Sequence, residues 1–195
     1  MKHSRIVTGF RLLIVIAFIS GPLLYAVHLK RQTRSFRVVE EGVLYRSGQM
    51  TLAGLERTLH DYNIRTVITL RDARNEGDQP PDVEEEKYCQ KLGIRYVRIT
   101  PHRWLRSEDG SSQADQNVAR FVKIMSDPKN HPVLVHCFAG VHRSGTYSAI
   151  YRMEFQKWSN ESALAELHAL GYDNLFSERD ILGYLQSYEP ISSRK

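Results

Sequence analysis

A short apolar strand that runs straight into a glycine-containing loop and then a helix most constrains the fold. Val133–Val135 is β-branched and apolar, and the loop over residues 136–146 contains Gly140 and Gly145 before a helical pattern begins. Strand–loop–helix units of this kind build parallel sheets, because the helix carries the chain back along the sheet. The sequence therefore favours an α/β fold.

Strand and helix patterns alternate along the rest of the chain. Strands are predicted at Val43–Arg46, Thr66–Leu70, Tyr96–Ile99 and Val133–His136. Helices are predicted at Thr51–Tyr62, Asp82–Leu92, Ala114–Met125, Gly145–Trp158, Glu161–Leu170 and Glu178–Tyr188. Ser177 is the expected N-cap of the last helix, with Asp180 at the capping-box position. This alternation predicts a mainly parallel central sheet that is flanked by helices on both faces.

The net charge of +5 on the 195 residues is unevenly distributed. Residues 1–37 hold seven basic and no acidic residues, whereas residues 38–195 hold 20 basic and 22 acidic ones, a net charge of −2. The uncharged run Leu12–Leu29 fits a membrane helix, which needs about 17–25 residues. We therefore expect an N-terminal membrane anchor with basic flanks over residues 1–37 and one domain over residues 38–195.

Two features of this N-terminal segment leave alternatives open. A cleaved signal peptide needs small residues before the cut, and Leu24–Ala26 fits that requirement poorly. The basic residues on the two sides of the apolar run are nearly equal in number, so the positive-inside rule leaves the orientation undecided.

Because residues 38–195 are slightly acidic, nothing in the domain indicates a nucleic-acid partner.

The loop after the last strand carries a cysteine and an arginine in a phosphate-binding setting. Its backbone N–H groups and the following helix N-terminus form an anion site, and this positive field favours the thiolate form of Cys137. The planar guanidinium of Arg143 can hold two phosphate oxygens at once. Ser144 can donate a hydrogen bond to the thiolate. The alternative is a buried cysteine beside an ordinary strand-to-helix turn.

The sequence HCFAGVHRSGT over residues 136–146 resembles the His-Cys-x5-Arg-Ser/Thr loop of the cysteine-dependent protein tyrosine and dual-specificity phosphatases. The segments 44–49, 66–71 and 127–137 resemble the atypical dual-specificity branch of bacteria, fungi and plants, so the resemblance covers residues 42–190. It implies a phosphatase-like α/β fold and no metal or other cofactor. It also implies hydrolysis of a phosphorylated protein or another phosphomonoester through a phosphocysteine at Cys137.

The resemblance further implies a role for each loop residue. Cys137 attacks phosphorus, Arg143 stabilises the equatorial oxygens, and Ser144 helps the thiolate to leave. His136 orients the loop from behind the cysteine. The phosphate is bound through the backbone of Phe138, Ala139, Gly140, Val141, His142 and Arg143. A working thiolate is easily oxidised, which favours a catalytic domain on the cytoplasmic side of the membrane.

The general acid is not fixed by the motif. Family members usually carry an Asp in the loop after the preceding strand, and here Asp109 is the nearest candidate. Glu108 beside it, Asp115 on the following helix, and the lack of any acid are the alternatives. Asp115 is expected to face water. A phosphatase without an acid would still cleave aryl phosphates, because their leaving groups need little protonation.

The substrate and two other functions stay open at this stage. Val141 stands where relatives that act on inositol phosphates carry Lys, which disfavours an inositol phosphate phosphatase without excluding it. Cationic side chains are expected near the ligand-binding edge of the sheet at Arg71, Arg74, His102, Arg103 and Arg106. The other functions are a phosphate-binding module that has lost hydrolysis, and sulfur transfer or arsenate reduction with Cys89 as a second thiol. Cys89 is expected to be a core residue of a helix.

Overall fold

The computed structural model describes residues 18–191 and contains a five-stranded sheet with helices on both faces. The strands are β1 (Arg37–Glu40), β2 (Leu44–Ser47), β3 (Thr66–Thr69), β4 (Arg95–Arg98) and β5 (Val133–His136). The helices are α1 (Leu52–Asp61), α2 (Val83–Lys91), α3 (Ala114–Met125), α4 (His142–Phe155), α5 (Asn160–Ala169) and α6 (Arg179–Gln186).

The sheet has the order β1-β2-β5-β3-β4 and is mainly parallel, as predicted. β2, β5, β3 and β4 run parallel to one another, and only β1 is antiparallel, at the edge beside β2. The strand at Arg37–Glu40 was not predicted, because it lies partly exposed and lacks the apolar character of a central strand. The parallel arrangement places the C-terminal ends of four strands along one edge of the sheet.

Successive side chains of the buried strands pack into two separate cores, one on each face of the sheet. Val133 and Val135 of β5 point into a large core with α3, α4, α5 and α6, whereas Leu134 points into a smaller core with α1 and α2. This alternation follows from the period of two residues in a strand. The predicted apolar stripe of α3 lies in the large core, where Val118, Phe121, Val122 and Met125 are all buried.

The start of α4 and the cap of α6 differ from the prediction, whereas the other predicted helix starts agree with the structure within one residue. α4 begins at His142 rather than Gly145, because residues 142–144 already adopt helical backbone at the end of the loop. The Ser177 cap is wrong: Ser177 ends a short 3-10 helix and donates its hydroxyl hydrogen bond to the Asn174 carbonyl at 2.7 Å. Glu178 precedes α6 instead, without a side-chain capping bond.

The predicted membrane-spanning run begins in residues that lie outside the described part of the chain. Residues 18–32 are helical and expose apolar side chains such as Phe18 and Leu24. Among residues 18–191, no helix combines the length and the apolar character needed to cross a bilayer. The C-terminal end of this helix packs onto the domain, since the Thr51 N–H donates to the Gln32 carbonyl at 3.1 Å.

Candidate active site

The Cys137 sulfur lies at the base of a loop that curls around it. The loop joins β5 to α4 at the C-terminal edge of the sheet. The Gly140 N–H donates to Cys137 Sγ at 3.3 Å, and Ser144 Oγ lies 3.5 Å from the same sulfur. Cys137 is only 4% exposed. The arrangement therefore holds a nucleophile at the bottom of a loop whose geometry suits an anion.

Two glycines permit close packing between this loop and the end of β2. Gly140 has a φ of +79°, and a Cβ at that position would lie 2.3 Å from the Gly48 nitrogen. A Cβ at Gly48 would lie 2.8 Å from the Phe138 carbonyl oxygen. The Gln49 N–H also donates to that oxygen at 3.0 Å. The backbone after β2 thus supports the loop from one side, which only glycines allow at these contacts.

Arg143 stands between two clefts that open beside the loop. Its Nη1 donates to the Leu70 carbonyl at 3.1 Å, which fixes the guanidinium at the end of β3. One cleft, of about 480 Å³, is also lined by His102, Arg103 and Trp104. The other, of about 970 Å³, is also lined by Arg71 and Arg74. The structure therefore brings four of the five predicted cationic side chains to the candidate site.

Arg106 is the predicted cationic residue that does not line either cleft. Its guanidinium lies over the Tyr184 ring, 4.8 Å from the ring centre, and donates to the Gly110 carbonyl at 2.6 Å. Trp104 forms a wall of the smaller cleft, and its ring packs edge-on against Tyr147 and Tyr184.

The structure does not bring Asp109 to the site. Asp109 is exposed, and its Oδ1 accepts hydrogen bonds from the Ser111 hydroxyl at 2.7 Å and the Ser111 N–H at 3.0 Å. These bonds lower the pKa of Asp109, which disfavours the protonated form that a general acid needs. Glu108 is likewise exposed and lines neither cleft beside Arg143.

Asp115 is not a free acid that faces water, contrary to expectation. Its two carboxylate oxygens accept from the Tyr184 hydroxyl at 2.8 Å and from the Ser112 N–H at 2.8 Å, at the start of α3. Four other carboxylates line the clefts beside Arg143. They are Asp72, Asp78, Glu178 and Asp180.

A buried polar chain behind the loop was not foreseen from the sequence. Glu85 is 4% exposed, and its Oε1 lies 2.7 Å from Nε2 of His136. Its Oε2 accepts from the Gln49 side chain at 2.5 Å, and Gln49 in turn accepts from Arg71 Nη1 at 2.7 Å. One carboxylate therefore links the residue behind Cys137 to an arginine that lines the larger cleft.

A neighbouring carboxylate anchors the same helix. Asp82 accepts from Arg98 Nη1 at 2.6 Å and from the hydroxyls of Thr69 and Tyr96. Burial alone would raise the pKa of Asp82, but these hydrogen bonds and the Arg98 charge outweigh it and lower that pKa. Two acidic residues at the start of α2, Asp82 and Glu85, are therefore buried groups behind the site.

The rim of the loop carries an exposed aromatic ring between two guanidinium groups. Phe138 is 57% exposed, with Arg34 4.0 Å and Arg71 5.2 Å from its ring centre. The Arg34 carbonyl also accepts from the Gly48 N–H at 2.7 Å. A segment assigned from sequence to the N-terminal flank thus contributes to the mouth of the site.

The second cysteine, Cys89, lies in a different core from Cys137. Cys89 lies in the smaller core with no exposed surface, whereas Cys137 belongs to the larger core. Burial raises the pKa of the Cys89 thiol to about 12, so this thiol is unreactive at neutral pH. Within residues 18–191, no cluster of three or more His, Cys, Asp or Glu could hold a metal ion.

The fold and the Cys-x5-Arg loop together define the class of cysteine-dependent phosphatases. The family model "DSP-PTPase phosphatase fused to NAD+ Kinase" matches residues 22–180. This chain belongs to that family of dual-specificity-type cysteine phosphatases.

Known proteins agree with this assignment. The tyrosine-protein phosphatase yvh1 of Schizosaccharomyces pombe is 40% identical over 73 residues, 34% of this chain and 21% of that protein. The inositol diphosphatase DSP3 of Arabidopsis thaliana is 26% identical over 83% of this chain and 73% of its own length. The core catalytic domain of the PP-IP phosphatase SIW14 from S. cerevisiae shares the fold, with a TM-score of 0.61 and 18% identity over 80% of this chain and 86% of that one.

Proposed function

We propose that this protein hydrolyses phosphomonoesters, as a protein tyrosine or dual-specificity phosphatase, through a phosphocysteine at Cys137. One observation carries the proposal: the loop holds the Cys137 sulfur at its base, where the Gly140 N–H donates to it, and the same loop places Arg143 in the lining of two clefts. Such a site binds a phosphate group and presents a thiolate to its phosphorus atom.

In this reaction the Cys137 thiolate attacks phosphorus in line with the leaving oxygen. The S–P bond forms as the P–O bond to the leaving group breaks. The loop amides and Arg143 stabilise the charge on the three equatorial oxygens. Water then attacks the phosphocysteine, releases inorganic phosphate and restores the thiolate. The Ser144 hydroxyl, 3.5 Å from Sγ, stabilises that thiolate as it leaves.

Asp180 is the carboxyl group that best suits the general acid. It lies in the first turn of α6 and lines the smaller cleft with Arg143. Asp72 lines the larger cleft, but its carboxylate already accepts from Thr100 and from the Ala73 N–H. A carboxyl group whose two oxygens already accept hydrogen bonds is less available to the leaving oxygen, so we assign the proton transfer to Asp180.

Turnover of an aryl phosphate in the presence of a metal chelator tests the proposal. We expect hydrolysis by the reduced protein, and losses of at least about 10³-fold in Cys137→Ser and in Arg143→Ala. Cys89→Ser serves as the matched thiol control and should retain turnover. Phosphate binding without turnover in the wild type would instead support the phosphate-binding module. Thiocyanate production from thiosulfate and cyanide would support sulfur transfer.

An inositol phosphate phosphatase is the second candidate function. The larger cleft is lined by Arg71, Arg74 and Arg143, and Arg34 lies at its rim over Phe138. This cationic setting suits a substrate with several phosphate groups, and one relative is an inositol diphosphatase. Cys137→Ser as a binding trap should be compared on phosphotyrosine peptides, phosphoserine peptides and inositol phosphates. Preferential retention of inositol phosphates would select this second function.

The proposal includes a membrane anchor in residues 1–37, with the catalytic domain on the cytoplasmic side. Its support is the uncharged run Leu12–Leu29 between basic clusters and the apolar side chains that residues 18–27 expose. We expect the full chain to stay in the membrane pellet after an alkaline carbonate wash, and a chain that starts at residue 32 to be released. A full chain found in the supernatant would contradict the anchor.

A further inference from the structure

A buried arginine occupies a sheet position where the pattern calls for an apolar side chain. Arg46 lies in β2 two residues after Leu44, so its side chain points to the same face, into the larger core. It is 2% exposed and is among the largest fully buried side chains of the protein. Burying a guanidinium costs several kcal/mol unless a negative group offsets the charge.

No carboxylate within residues 18–191 forms an ion pair with Arg46, and its Nε lacks a hydrogen-bond partner. The charge of Glu166 also acts on Arg46, but Arg152 holds both oxygens of that carboxylate, at 3.0 Å from Nε and 2.7 Å from Nη2. The guanidinium of Arg46 is therefore a buried cation without a directly paired anion among the acidic side chains of residues 18–191.

The position of Arg46 points to the catalytic loop as the source of that anion. A Cβ added to Gly145 would lie 2.9 Å from Arg46 Nη1, so the guanidinium lies directly against the first turn of α4. The preceding residue, Ser144, contacts Cys137 Sγ. On the strand side, the Cys137 N–H donates to the carbonyl of Ser47, which is adjacent to Arg46. Arg46 thus lies beneath the loop.

Two negative groups, Glu166 and Cys137, raise the pKa of Arg46. Burial lowers the pKa of Arg46 to about 10, and the Cys137 charge acts in the opposite direction. The groups that act on Arg46 are Arg37, Glu166, Cys137 and Arg152. The titratable and charged groups packed around the catalytic loop are Arg34, Arg71, His136, His142, Arg143, Tyr172, Glu178, Asp180 and, behind His136, Glu85. Of the two anions that act on Arg46, Glu166 has both oxygens held by Arg152, whereas Cys137 belongs to the loop against which Arg46 packs.

We propose that Arg46 is a positioning residue that stabilises the thiolate form of Cys137 from beneath the loop, on the opposite side from the substrate. This inference rests on the proposed phosphocysteine reaction, because only a thiolate nucleophile needs the charge. The benefit is mutual: the thiolate offsets the cost of the buried guanidinium, and the guanidinium keeps the sulfur ionised before phosphate arrives.

Alkylation by iodoacetamide tests the inference because only the thiolate reacts. Rates on the full chain are measured from about pH 5 to about pH 9, with the Cys137→Ser signal subtracted. In Arg46→Met we expect the rate near pH 6 to fall about tenfold or more, with the profile moved to higher pH. Arg37→Met is the matched control, since it removes a cation that acts on Arg46 from exposed β1, and its profile should match the wild type.

The result that overturns the inference is an Arg46→Met profile that superimposes on the wild-type profile in protein with cooperative thermal unfolding. Arg46→Lys keeps the charge and loses the planar fork, so its rate near pH 6 should stay within about threefold of the wild type. If Arg46→Met does not fold, a tenfold loss in folded Arg46→Lys is the contradicting outcome. Alkylation does not depend on turnover, so the two proposals can fail separately. The role of Arg46 can be wrong while the phosphatase activity is present, and the activity can be absent while Arg46 still affects the thiol.

Discussion

Single residues decide the chemistry of this site more than composition does. Cys137 and Arg143 were predicted from the loop sequence alone, because a cysteine, an arginine and two glycines at fixed spacing after a strand have few other uses. Asp109 was chosen by its distance along the chain, and the structure places it in a self-contained turn with Ser111. Chain distance cannot show which way a loop carboxylate points, whereas loop geometry can.

Substitution of Asp180 or Asp109 by asparagine tests which of the two is the general acid. We expect Asp180→Asn to reduce turnover of an alkyl phosphate by about 10²-fold or more, because that leaving group needs a proton. Turnover of an aryl phosphate should change much less. Asp109→Asn should leave both rates within about twofold, since its carboxylate serves only Ser111. Rates measured on the two substrates decide between the acids, and a selective loss in Asp109→Asn would restore the original assignment.

At the scale of elements, the repeat of apolar residues predicted the helices and strands that pack into the cores. Helix α3 and strand β5 match their predicted bounds because their apolar residues repeat at the helical or strand period. β1 was missed because an exposed edge strand carries no such pattern. The role of α2 was also missed: acidic residues in a first turn indicate a solvated, dipole-stabilised start, and only the folded sheet brings Glu85 to His136.

Glu85→Gln tests the buried chain behind the loop. The amide cannot accept with both of its heavy atoms as the carboxylate does, so one contact to His136 or Gln49 is lost. We expect a decrease of about 1–3 kcal/mol in the free energy of unfolding, measured with urea at neutral pH. Glu84→Gln, whose carboxylate is exposed and pairs with the exposed Lys87, is the control and should cost less than about 1 kcal/mol. Equal effects of the two substitutions would contradict the structural role.

The Asp82–Arg98 pair predicts how stability depends on pH. The folded-state pKa of Asp82 is lowered from its ordinary value near 3.8, so its contribution is present above that value and is lost as pH falls through the folded-state pKa. Asp82→Asn should therefore be destabilised by about 3 kcal/mol or more near neutral pH. The gap between wild type and variant should shrink in acid. A gap in the unfolding free energy that does not change with pH would contradict this account.

At the scale of the whole molecule, the N-terminal segment belongs to the site as well as to the proposed anchor. The charge pattern separated residues 1–37 from the rest, yet residues 32 and 34 pack on the catalytic domain through Thr51, Gly48 and Phe138. The charge pattern shows that the basic segment ends near residue 37. It does not show which residues of that segment form hydrogen bonds with the domain.

Two truncations separate these roles. A chain that starts at residue 32 keeps Arg34 and should retain the wild-type KM for an aryl phosphate. A chain that starts at residue 37 loses the Arg34 carbonyl that accepts from Gly48 and the guanidinium over Phe138. We expect its KM to rise several-fold. Arg34→Ala in the full chain distinguishes the side chain from the backbone, and equal KM values in both truncations would rule out a contribution of this segment.

Direct capture of the phosphorylated enzyme tests the central claim of a phosphocysteine at Cys137. A reaction with aryl phosphate is quenched within the first turnover, and the peptides are examined by mass spectrometry under conditions that preserve thiophosphate esters. We predict one phosphoryl group on the peptide that contains Cys137, and none in Cys137→Ser. Hydrolysis that proceeds at the wild-type rate with no phosphoryl group on that peptide, or with one on another residue, would contradict the account.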